Sequence, residues 1–112
     1  MPKDDLVYVG HMLDTARRIE AKARGKSRQD FDRDENLQLA LAYLLQIVGE
    51  AARQISPAFR TAHPFIPWNA IIGMRHRVVH DYLNVDEDIV WQTATRELDP
   101  LIAGLERLAP PA

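Results

Sequence analysis

The apolar residues of this chain fall three and four apart in segment after segment, and that spacing limits the fold more than any other feature. Leu37, Leu41, Leu44, Val48, Ala51 and Ile55 step by 4, 3, 4, 3 and 4. Trp91, Ala94, Leu98, Leu101, Leu105 and Leu108 step by 3, 4, 3, 4 and 3. Such steps keep one face of a helix of about 3.6 residues per turn against its neighbour. Leu6, Val9, Leu13, Ala16 and Ile19 form a looser stripe of the same kind. No sustained alternation of apolar and polar residues, bounded by hairpin turns, interrupts the pattern. The expected fold is all-α, an up-and-down four-helix bundle with room for a short fifth helix.

Glycine and proline mark where these helices stop. A first helix is expected over Lys3–Arg24, ending at Gly25, where a left-handed cap is tolerated. A polar loop then leads to a second helix over Arg33–Ile55. Ser56 and Pro57 read as an N-cap followed by proline at the first helical position, opening one or two turns before His63-Pro64. Pro67 opens a third helix carrying Trp68 to Leu83, and Asn84-Val85-Asp86 is a tight connection. Asp86, Glu87 and Asp88 crowd the start of a fourth helix that runs to Leu108, where acids suit the positive end of the dipole. Pro100 should bend or locally disrupt that helix, because its ring clashes with a carbonyl one turn back. Short links between long helices imply antiparallel neighbours. At 112 residues one domain is expected, with no repeats, burying roughly two-thirds of the unfolded surface.

Composition narrows the chemistry. Without cysteine there are neither disulfides nor thiolate metal sites, which fits a reducing, cytoplasmic setting. The start MPKDDLVYVGHMLD mixes charge with apolar residues, unlike a signal peptide. The longest apolar run, LALAYLL, falls far short of the roughly 20 residues that cross a bilayer, so no membrane role is expected. A formal charge of −2 gives no global attraction to nucleic acid. RRIEAKARGKSR (17–28) is locally basic and Asp30, Asp32, Asp34 and Glu35 follow it. That pattern reads as a solvated helix end and an acidic helix start, with a cationic rim for phosphates as the competing reading.

One decapeptide sets three readings in competition. GMRHRVVHDY (73–82) holds two arginines, two histidines, an aspartate and a tyrosine. Arginine and histidine at a bundle edge commonly satisfy carbonyls or pair with acids, and that is the structural reading. A metal reading rests on His76 and His80, four apart and so on one helical face. It lacks a defined third ligand (His11, His63 and a remote carboxylate are the candidates), and Arg77 stands where a zincin-type motif carries its glutamate. The third reading is metal-independent phosphoryl chemistry. Arginine gives phosphate oxygens a permanent forked charge, and histidine moves protons near neutral pH. RNA brings its own nucleophile, the 2′-hydroxyl, so the protein need only transfer protons and stabilise the crowded phosphorus. On one helix Arg75 and His80 would lie about 140° apart, and a second subunit could complete the site.

Arg75-His76-Arg77-Val78-Val79-His80 matches the R-x4-H form of the R-x4-6-H motif of HEPN-domain ribonucleases. Extended to Tyr82 it reads R-x4-H-x-Y and resembles the HepT toxin family, which pairs with a minimal nucleotidyltransferase (MNT) antitoxin. QIVGEAA, PWNAIIGMRHRVVHDY and VDEDIVWQTATRELDPL also resemble that family's regions in the same order, so the likeness covers most of residues 5–108. It implies a helical homodimer whose two motifs face one composite cleft and cut RNA without metal or cofactor. Arg75 would hold the scissile phosphate and His80 would be the general acid/base, leaving 2′,3′-cyclic phosphate and 5′-hydroxyl ends. Tyr82 would be the tyrosine that the MNT partner modifies with AMP, placing negative charge where substrate phosphate binds. His76 departs from the small polar residue, commonly asparagine, that often follows the motif arginine, and stands as an auxiliary candidate. A tRNA substrate is suggested by analogy, though no residue here reads a base. The rival is a non-catalytic, nucleotide- or phosphate-binding helical subunit of a nucleotidyltransferase complex.

Of the remaining candidates, Glu50 either meets an arginine of the motif helix or is a solvated edge residue. Trp68 and Trp91 lie on the apolar stripes and read as core or dimer contacts rather than base-stacking platforms. Tyr43 is a candidate for a subunit seam.

Overall fold

The computed structural model describes residues 4–81 and 84–108, the side chains of His80 and Asp81 excepted. Helices α1 (Asp5–Ala23) and α3 (Glu35–Gln54) are joined through a short helix α2 (Arg28–Asp32). Next come α4 (Pro57–Ala62), α5 (Trp68–Ile72) and α6 (Met74–Val78). Two short antiparallel strands follow, β1 (Val79–Asp81) and β2 (Asn84–Val85). The last rod is α7 (Glu87–Gln92), a π turn at Thr93–Glu97 and α8 (Leu98–Leu108). The architecture is the expected all-α bundle, with one small two-stranded ladder added.

Side-chain contacts fix the direction of each rod. Asp5 at the start of α1 accepts hydrogen bonds from the backbone N–H and hydroxyl of Ser56, just beyond the end of α3, so these two helices run antiparallel. Arg28 reaches Asp88 at the start of α7, while Arg17 within α1 meets Glu106 near the end of α8. The last rod therefore runs against α1. The core follows the predicted stripes: Val9, Leu13, Ala16 and Ile19 of α1, the whole α3 series, and Ala94, Leu98 and Leu105 are buried. Leu6, expected in the first stripe, is exposed.

Local signals account for most boundaries. Asp4, Asp34, Ser56 and Asp86 each accept a backbone N–H at a helix start. Gly25 takes φ 74°, the left-handed conformation expected after the first helix. The polar loop anticipated before Arg33 instead holds α2. Ser27 and Asp30 form a reciprocal capping box there, and Phe31 turns fully into the core, packed on Trp91 at 5.0 Å. The Ser27 backbone bond, followed by its hydroxyl bond, holds the Asp30 carboxyl below its ordinary value. The basic stretch behaves as a solvated helix end, with Arg24 on Glu20 and Arg28 on Asp32.

The expected third helix needs correction. The third helix does not run unbroken from Trp68 to Leu83. It is interrupted at Gly73 and ends at Val78, after which Val79 is extended at φ −115°, ψ 114°. Val78 and Val79 are β-branched and lose side-chain freedom in a helix, whereas the ladder pairs Val79 with Val85. Both packed valines are half-buried against the core. Asn84 and Val85, expected as a simple tight connection, form β2. Pro100, which lies inside α8, disrupts the last rod locally, as expected. It cannot donate to the Arg96 carbonyl, and the helix answers with a widened π turn over Thr93–Glu97 rather than a break.

Candidate active site

Helix α6 sorts the decapeptide by direction. Met74 and Val78, four apart, are both buried and anchor the helix to the core. Successive residues turn by about 100°, so Arg75 and His76 face outward and are exposed, while Arg77 flanks the buried edge and is half-buried. The base of the helix approaches α3 closely at Gly49. A Cβ on Gly49 would lie 2.7 Å from the Ile71 carbonyl oxygen and 3.3 Å from the Met74 Cβ. Absence of a side chain at Gly49 thus lets the α5–α6 corner seat directly on α3.

The two motif arginines have different surroundings. Arg77 Nη2 donates to Glu97 Oε2 at 3.3 Å, and the Thr93 hydroxyl donates to the same oxygen at 3.1 Å. Arg75 makes no ion pair with any carboxylate among the described residues. Its guanidinium therefore stands on the outer face of α6 beside His76, free to hold an anion in its fork. Val79 N–H still bonds to the Arg75 carbonyl, and the chain then turns into β1, which carries His80 on its backbone. Because the helix ends at Val78, the angle of about 140° expected for Arg75 and His80 on one helix does not apply. The side chain of His80, and Tyr82 altogether, lie outside the described residues.

The competing assignments can be placed. Glu50 pairs with Arg53 on its own helix at 3.4 Å and is exposed, so it is an edge residue rather than a partner of the motif helix. His11 sits edge-on to Tyr8 at 5.9 Å, and His63 lies against Phe59 at 4.4 Å. Among the described residues no group of three or more histidines and carboxylates is gathered where it could hold a metal. Trp68 is a core residue whose indole N–H donates to the His63 carbonyl at 2.9 Å. Trp91 is half-buried on Phe31. Tyr43 is exposed on α3. No helix among the described residues is long and apolar enough to cross a membrane.

The model of the ribonuclease HepT-like family matches residues 12–108, which includes every residue of the site just described. This chain belongs to the HepT-like ribonuclease family. A protein of Caldanaerobacter subterraneus subsp. tengcongensis, provisionally named an RNase, is 34% identical over 94 residues, covering 84% of each chain. A protein of Thermococcus cleftensis, provisionally named ribonuclease HepT, is 32% identical over 101 residues, covering 90% of this chain and 92% of the relative. A Methanocaldococcus jannaschii protein, also provisionally named an RNase, is 28% identical over 109 residues, covering 96% and 90%. No solved structure gives a significant match. Glu97 was not singled out in the sequence. Its link to Arg77 spans 20 residues and two elements, and no local spacing signals it.

Proposed function

We propose that this HepT-like chain is a metal-independent RNA endonuclease, the toxin of a toxin–antitoxin pair, acting as a homodimer with a composite site. The observation that carries the reading is the outward-facing Arg75 on α6, without an ion pair among the described residues and five residues ahead of His80, in a chain whose family is a ribonuclease family. Membership of that family supports cleavage of RNA, and the arginine–histidine pair supports the kind of cleavage.

In this reading the RNA 2′-hydroxyl attacks the adjacent phosphorus and the bond to the 5′-oxygen breaks. The 2′-hydroxyl proton leaves to a histidine base, and the departing 5′-oxygen gains a proton. His80 from each of two subunits can share these roles, one accepting and one donating. Arg75 binds the non-bridging oxygens and stabilises the charge that grows on them. His76 lies beside Arg75 on the exposed face and serves as an auxiliary donor. The products are a 2′,3′-cyclic phosphate and a 5′-hydroxyl. An MNT-type nucleotidyltransferase silences the enzyme by transferring AMP to Tyr82, whose added phosphate repels substrate. tRNA is the proposed substrate class.

The test is incubation of purified wild-type and His80→Ala protein with total RNA in excess EDTA, followed by analysis of fragment ends. Wild type alone should yield fragments ending in 2′,3′-cyclic phosphate, with His80→Ala at least about 100-fold slower. No cleavage by folded, unmodified wild-type dimer would remove the enzyme reading and leave a nucleotide- or phosphate-binding subunit.

A further inference from the structure

Arg77, the second arginine of the decapeptide, takes no part in the chemistry above, yet it joins α6 to the π turn. Glu97 is the last residue of that turn and accepts from both Arg77 (3.3 Å) and Thr93 (3.1 Å). Thr93 is only 4% exposed, so one end of this three-residue cluster is fixed in the core. The π turn exists one turn before Pro100, where the missing N–H frees a carbonyl and the helix widens. Beneath the cluster lies a cavity of about 40 Å³ lined by Ile71, Met74, Arg77, Thr93 and Glu97 among others. Apolar packing between α6 and the last rod is therefore incomplete at the level of Arg77.

Stability does not explain the pair. The Arg77 and Glu97 side chains are 32% and 51% exposed, a setting in which ion pairs contribute little to folding. Position does explain it, because the contact bridges two elements across a gap that side chains do not fill, two residues after Arg75. We propose that Glu97 and Arg77 are positioning residues, a latch that sets the attitude of α6 and thereby of Arg75. The proposal rests on the reading of Arg75 and His80 as the catalytic pair. It assigns Glu97 no contact with RNA.

The experiment is a double-mutant cycle with Glu97→Ala, Arg77→Ala and the double variant, using a tRNA transcript that wild type cleaves in EDTA. Each single change should lower kcat by about 10- to 100-fold with KM within about 2-fold, as misplacement of a reacting group does. The double variant should be no slower than the slower single one, because both remove one contact. Amide hydrogen exchange is read on the same proteins without RNA, and α6 should exchange faster while α1 and α3 do not change. An unchanged kcat, losses that multiply in the double variant, or a loss confined to KM would overturn the latch. Should wild type cleave nothing, exchange decides alone: faster exchange in α6 keeps the latch while the catalytic reading falls, and unchanged exchange overturns the latch too.

Discussion

Ser56 joins three elements through one side chain. Its hydroxyl accepts from the Phe59 N–H at the start of α4 and donates to Asp5 Oδ2 at 2.8 Å, while its own N–H donates to Asp5 Oδ1. Serine followed by proline announces the cap in the sequence, but Asp5, 51 residues away, is announced by nothing. Ser56→Ala keeps the backbone bond to Asp5 and loses the other two. A lost N-cap costs about 1 kcal/mol, and a part-exposed bond to a carboxylate adds up to about as much. The expected result is a loss of about 1–2 kcal/mol in urea unfolding with an unchanged slope, since the surface exposed on unfolding stays the same. A change below about 0.5 kcal/mol would mean that water replaces both bonds. The same contrast holds at the site. The spacing of Met74 and Val78 is local and turns Arg75 and His76 outward, whereas the pairing of Arg77 with Glu97 depends on how two elements pack.

At the scale of elements, the long helices were legible because each repeats its apolar step over many turns. The stripes of α3 and of the last rod fell within the core as spaced, Trp91, Leu101 and Leu108 at its half-buried margin. The end of the third helix was not legible because β-branched Val79 fits either a helix or a strand, and its pairing with Val85 makes the choice. Gly49 belongs to this scale, since it sets how near the α5–α6 corner comes to α3. Alanine there gains up to about 1 kcal/mol in helix propensity. It also puts a Cβ 2.7 Å from a backbone oxygen, a contact relieved only by moving an element, and overpacking of this kind costs about 1–3 kcal/mol. The clash should win, so Gly49→Ala is expected to lose about 1–2 kcal/mol, with RNA cleavage reduced at least about 10-fold as α6 shifts. Gly10→Ala is the control. A Cβ at Gly10 meets nothing within 4 Å, so the propensity gain should appear alone, as about 0.5–1 kcal/mol of added stability. Equal effects at the two positions would show that the approach at Gly49 does not hold α6 in place.

For the whole molecule the governing quantity is net charge, which gives a polyanion no global attraction. The chain carries a formal charge of −2, and Arg17, Arg24, Arg28, Arg53 and Arg77 are each matched to a carboxylate. A protein that wraps RNA on a broad basic face releases many counterions, and its affinity falls steeply with salt. Here binding should rest on few phosphates. Each neutralised phosphate of a single strand contributes about 0.7 to the slope of log affinity against log salt. In the proposed homodimer, one Arg75 from each subunit would give about −1.4, and a few peripheral contacts would extend the range to about −3. The measurement uses His80→Ala protein, which should bind without cutting, and follows fluorescence anisotropy of a labelled tRNA across salt concentrations. Adding Arg75→Ala should make the slope shallower by about 1.4. A slope beyond about −5 would require a wide cationic surface, and RNA would then be held chiefly by residues other than the motif. A shallow slope that loses about half or more with Arg75 would mean that recognition and chemistry share one small site, which leaves substrate choice to the shape of the RNA presented to it.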